Sequence, residues 1–156
     1  EKEIHANHQE NMIRVANILD SYGWPNPAFT GQRGNWTICN VIQHDTQETR
    51  EQYLPLMKQA VLDGKLEPRF LVRTQDRLAT DKGELQIYGG QMKYYKETQS
   101  FNVWPVYDPV NINKRRAEIG LNTIEEHLKE RFDFDWDLEE QIKRTEAFIK
   151  ERNSTN

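Results

Sequence analysis

Apolar side chains recur along most of this chain at steps of three and four, and glycine or proline breaks the pattern every helix length or so. That periodicity commits the chain to amphipathic helices packed through one face. Ile4, His8, Met12, Val15, Leu19 and Tyr22 form one such stripe, so a helix is predicted over residues 3–22. Gly23 suits the left-handed position that ends it, and Pro25 prevents its resumption. Residues 23–34 read as an ordered loop whose Trp24 and Phe29 should fold back out of water. Asn35 is the expected N-cap of a short, largely buried helix from Trp36 to His44. Asp45-x-x-Glu48 fits a capping box opening a helix through Leu62, kinked at Pro55, and a fourth helix is predicted over 67–80.

The period then changes. Leu85–Tyr88, Met92–Tyr95 and Phe101–Val106 are rich in aromatic and β-branched residues, which predicts a hairpin or small antiparallel sheet. Gly89-Gly90 marks a bulge or a close approach, and Pro105 places the last strand at an edge. Helices return over 111–119, 123–131 and 137–152, the last opened by Asp137-x-x-Glu140. The expected fold is therefore α+β, a mostly helical single domain over 1–152 with a small β element around 85–106 and a frayed tail at 153–156.

Composition narrows the partners. No apolar run exceeds three residues, so no segment resembles the roughly 20-residue apolar stretch of a membrane span. A net charge of −4 without a basic stretch argues against nucleic acid or anionic lipid as a partner. A lone Cys39 excludes an intramolecular disulfide framework and multi-cysteine zinc sites. No cofactor motif and no metal-ligand spacing is present: His5 and His8 share a helix face without a third ligand. The acids of Asp133–Asp137 lack the glycine and terminal acid of a calcium loop. The start at Glu1 rather than Met leans slightly toward an exported protein, although a lone thiol suits the cytoplasm equally. Neither reaction nor oligomeric state is written in the sequence.

Three groups of residues carry candidate chemistry. His44 ends a helix, where the negative end of the dipole favours its charged form, as a general acid or base requires; the alternative is a helix C-cap. Arg73, Asp76 and Arg77 share a helix face, so Asp76 could orient an imidazole and Arg77 hold an anion, or the three could form a solvated ion-pair network. Gln86, Tyr88 and Gln91 flank the Gly89-Gly90 pair, where a ligand or another backbone could approach closely.

These segments occur in one order: Tyr22-Gly23-Trp24-Pro25, Ile42-Gln43-His44, Tyr53-Leu54-Pro55-Leu56, Asp76-Arg77, Gln86-x-Tyr88-Gly89-x-Gln91 and Arg115–Leu121. In that order they resemble an uncharacterised bacterial domain family of unknown function, number 6624, up to about Leu128. The resemblance implies importance for His44, Asp76, Arg77, Gln86, Tyr88 and Gly89, and supplies no reaction. Where that family often has Gly-Thr-Gln, this chain has Gly89-Gly90-Gln91, so a hydroxyl there is lost. Two functions follow as expectations. One is acid–base catalysis, hydrolase- or lyase-like, on a small anionic or amide-bearing substrate. His44 would then be the acid or base, Asp76 its orienter, and Arg77, Gln86, Tyr88 and Gln91 the substrate contacts. The other is a noncatalytic ligand- or protein-binding module in which the same residues form a structural polar network.

Overall fold

The structure, a computed structural model, describes residues 2–155, with the side chains of 2–6, 32 and 155 left undescribed. Ile4 and His5 of the first stripe therefore lie outside the described side chains. The fold is mostly helical α+β with one two-stranded antiparallel sheet. It comprises α1 (Lys2–Tyr22), α2 (Pro27–His44), α3 (Gln47–Leu62), α4 (Pro68–Asp81), β1 (Met92–Tyr95), β2 (Ser100–Val103), α5 (Ile112–Glu118), α6 (Ile124–Phe132) and α7 (Leu138–Thr155). A 3-10 turn, Pro109–Asn111, leads into α5. The chain divides into two compact units, 1–74 and 75–156.

In the first unit α2 packs on both α1 and α3. Val15, Leu19, Trp24, Ile38, Ile42, Tyr53, Met57 and Leu71 form its core. The expected loop over 23–34 is largely helix. Asn26 caps α2 through its side chain, which accepts from the Ala28 N–H, and Pro27 takes the first-turn position where no donor is needed. Gly31, at φ 65°, is the one break inside the helix, and glycine tolerates it. Trp24 is buried as expected, but Phe29 is 91% exposed because the early helix start turns it outward. Asn35 does not cap: it accepts from Trp24 Nε1 at 3.1 Å and donates to the Lys65 carbonyl at 2.9 Å. The start of α3 is also shifted by one residue, since Thr46 is its N-cap and accepts from the Thr49 N–H. α3 continues through Pro55.

In the second unit β1 and β2 pair in the register Met92 with Val103 and Tyr94 with Phe101. Val103, Val106, Ile112, Ile124 and Leu128 form the core, with Met92, Phe134 and Trp136 packed against it. Leu85–Tyr88 is not a strand. It makes a single parallel bridge, Gln86 with Val106, because its other peptide groups are taken by side chains. α6 opens with a reciprocal capping box, Thr123 with Glu126, and Asp137 caps α7 by accepting from the Glu140 N–H. α7 runs on through Thr155, so residues 153–155 of the expected tail are helical, and Asn156 lies outside the described residues.

Gly89 shows how tightly this unit closes. At φ 81° it occupies a region that side chains disfavour, and a Cβ there would lie 2.6 Å from Ile124 Cδ1 and 3.0 Å from Ile112 Cδ1. Gly89→Ala is therefore expected to cost about 1–3 kcal/mol in urea unfolding through overpacking of the core, with left-handed strain added. An unchanged midpoint would show that this turn does not press on Ile112 and Ile124.

Candidate functional site

Asp76, on α4, is fully buried, and its carboxylate faces the turn at 87–90. Oδ1 accepts from the backbone N–H groups of Ile87 at 2.9 Å and Tyr88 at 3.0 Å. Oδ2 accepts from Gly90 at 2.9 Å and, more weakly, from Tyr88 at 3.3 Å. Both oxygens thus accept from main chain. Burial pushes the carboxyl's pKa up, while the three N–H groups and the nearby Arg116 charge pull the other way.

The carbonyls of the same turn are met from α5. Arg116, only 1% exposed, donates to the Tyr88 carbonyl at 2.7 Å, and to Asn122 through its carbonyl at 2.7 Å and its side-chain oxygen at 3.1 Å. Arg115 donates to the Ile87 carbonyl at 3.2 and 3.3 Å and also reaches the carbonyls of Tyr107 and Asp108. The peptide groups flanking Tyr88 are therefore held on one side by a carboxylate and on the other by a guanidinium. Burial lowers the Arg116 pKa, opposed by Asp76, but a guanidinium stays charged in any case.

Gln86 completes the arrangement. It is fully buried; its amide nitrogen donates to the carbonyls of Gln91 and Trp104, and its amide oxygen accepts the Gln91 N–H at 2.9 Å. Its own backbone bridges Pro105 and Tyr107. Leaving such groups unpaired in a buried setting would cost about 1–3 kcal/mol each, which is why an irregular segment can lie against a core only when sewn in this way.

The structure therefore brings Asp76, Gln86, Tyr88 and Gln91 together, and it does so through the backbone of 86–91. Tyr88 contributes its peptide group, while its half-buried phenol has a pKa raised by burial and then by Asp76. Gln91 likewise contributes its N–H and carbonyl. Arg77 is half-buried one position beyond Asp76, and its carbonyl accepts from the Thr80 hydroxyl. His44 belongs to the first unit, exposed at the end of α2.

Two features had not been singled out. His8 Nε2 lies 3.1 Å from Asp45 Oδ1, while Asp45 Oδ2 accepts from the Thr49 hydroxyl. Partial burial works against ionisation of Asp45, yet Thr49, the Thr46 N–H and His8 hold its pKa below the ordinary range. The stripe in α1 placed His8 on the packed face, but its partner 37 residues away had no local signal. The second feature is an open groove of about 440 Å³ in the second unit, lined by Glu125, Glu126, Lys129, Glu130, Phe134, Asp135 and Trp136. None of the candidate site residues His44, Asp76, Arg77, Gln86, Tyr88 or Gln91 lines it. Cys39 is buried beneath the first unit's surface, which pushes its thiol up to about 12 and leaves it a poor nucleophile. Among the described residues no set of three or more His, Cys, Asp or Glu side chains is grouped to hold a metal ion, and no helix is long and apolar enough to cross a membrane.

Three outcomes follow. Asp76→Ala should lose about 3 kcal/mol or more in urea unfolding, because three half-buried backbone donors lose their buried acceptor; a loss near that of a surface substitution would refute the network. Asp45 stabilises through its ionised form, so that contribution is present above about pH 4 and is lost as acid carries it through its lower folded pKa. Asp45→Asn should accordingly flatten the acid limb of a stability profile taken from about pH 6 to about pH 2. Native protein should also leave Cys39 unreactive toward Ellman's reagent until denaturant is added.

No curated protein and no solved structure matches the chain. A family model, described as a family of unknown function, DUF6624, matches residues 3–135, which takes in every element except α7. That span is most of the sequence, and the chain belongs to the DUF6624 family of unknown function.

Proposed function

We propose that this chain is a noncatalytic ligand- or protein-binding module of a bacterial protein, and that its Asp76, Gln86, Arg115 and Arg116 serve as scaffold. The bacterial attribution rests on the resemblance in sequence. One observation carries the reading: both oxygens of the buried Asp76 and both ends of the buried Gln86 amide are occupied by main-chain partners. A carboxylate so occupied is committed to main chain rather than to an imidazole, and a glutamine so occupied has no free donor for a substrate. The network's product is a rigid segment at 86–91, which is what a recognition surface needs from its frame.

Acid–base catalysis on a small anionic or amide-bearing substrate, with His44 as acid or base, is the second reading. What favours it is an exposed imidazole at His44, next in sequence to Asp45, which pairs with the His8 imidazole at 3.1 Å. The two readings part in a screen of small carboxylates, phosphates and amides followed both by thermal shift and by mass spectrometry. A binding module raises the melting temperature with compounds recovered unchanged. Conversion of a compound that disappears in His44→Ala, at an unaltered melting temperature, would contradict the module and favour the enzyme.

A further inference from the structure

The face of the hairpin that meets α7 carries two cations against one aromatic ring. Lys93 Nζ lies 5.5 Å from the Tyr95 ring centroid and 4.9 Å from that of Trp104. The Arg144 guanidinium lies 5.6 Å from the same Tyr95 centroid. Lys93 pairs with Asn102 across the strands, so both lie on the face that also bears Tyr95 and Ser100.

Arg144 is fixed there by neutral groups. Its Nη1 donates to Gln141 Oε1 at 3.2 Å and its Nη2 to Asn102 Oδ1 at 3.0 Å. Gln141 is itself fully buried and tied to Trp136 Nε1 and the Trp104 carbonyl. Amide oxygens orient a guanidinium without neutralising it. Among the described residues neither Lys93 nor Arg144 forms an ion pair with a carboxylate, in a chain whose acids outnumber its bases by 25 to 21. Glu97 lies near enough to Tyr95 to raise the phenol's pKa but is bonded to neither cation. Arg152, over the Phe148 ring at 5.9 Å, extends the same basic and aromatic stripe along α7.

We infer that Lys93 and Arg144, set around Tyr95 with Arg144 oriented by Asn102 and Gln141, form a binding site for an oxyanion, the carboxylate or phosphate of a small molecule. This inference deepens the binding-module reading and rests on it for its purpose. Two like charges facing one ring repel, and a ring quadrupole repays about 0.5–1 kcal/mol per cation at exposed sites. An oxyanion between an ammonium and a guanidinium removes that repulsion and gains charge-assisted hydrogen bonds. The guanidinium suits a planar two-oxygen contact and the ammonium supplies a point charge, so carboxylate and phosphate share the required chemistry.

The test is amide and arginine side-chain NMR on the whole chain, titrated separately with inorganic phosphate and with citrate, against chloride at matched ionic strength. Saturable shifts centred on Lys93, Asn102 and Arg144, with Lys93→Gln weakening the tighter probe about tenfold, are expected. Lys93 is exposed, so that variant keeps the fold; Arg144→Lys, which keeps the charge but loses the fork, should weaken binding as well. Shifts no different from chloride, or affinity unchanged in Lys93→Gln, would overturn the site. Saturable binding elsewhere with no response at Arg144 would overturn it too, while leaving a binding module standing. Conversion of a screened compound with the Arg144 response intact would remove the noncatalytic reading and leave the oxyanion site.

Discussion

The second unit depends on one carboxylate accepting main-chain hydrogen bonds. Without Asp76, the N–H groups of Ile87, Tyr88 and Gly90 would be donors with no acceptor, next to a core of Ile112, Ile124 and Leu128. With it, a segment that is neither helix nor strand can run over apolar side chains as closely as Gly89 does. The arginines of α5 meet the carbonyls of that segment, so the irregular chain is bonded from both sides. A buried charge with such partners is costly to remove, although a well-packed neutral substitute for the whole set could cost little. The carboxylate and guanidinium of this network act through the Tyr88 segment lying between them.

That division of labour separates scaffold from surface. Asp76 and Gln86, which look like catalytic machinery in the sequence, spend their hydrogen bonds on the main chain. Accessible charge lies elsewhere, on the hairpin face with Lys93 and Arg144 and in the acidic, aromatic-lined groove beside α6.

Much of the helical architecture was legible because it is local. The stripes of α1, α3, α4 and α7 follow from apolar spacing, and the hairpin from its aromatic and β-branched runs. What was not legible was long-range. The start of α2 at Pro27 was hidden by prolines and glycines that read as loop, although Asn26-Pro27 is a sound helix opening. Leu85–Tyr88 has the composition of a strand, and only the three-dimensional approach of Asp76 and Arg115 diverts its peptide groups. For the candidate site, sequence pointed to His44, Asp76, Arg77, Gln86, Tyr88 and Gln91; Asp76 bonds to the backbone of Ile87, Tyr88 and Gly90, and Gln86 to that of Gln91, whereas His44 belongs to the first unit. Their roles were the illegible part, because a carboxylate that holds a backbone and one that orients an imidazole have the same letter. The pairing of His8 with Asp45, and of Lys93 with Arg144 around Tyr95, joins residues dozens of positions apart and leaves no local pattern.

The most direct test of the central claim is amide hydrogen exchange at single residues of 86–91. If side chains hold this segment as described, the amides of Ile87, Tyr88, Gly90 and Gln91 will exchange as slowly as those of the neighbouring core helices, despite lying outside helix and strand. Exchange at the rate of an open surface loop would show that the carboxylate of Asp76 does not hold the segment, and the account of this unit would fail.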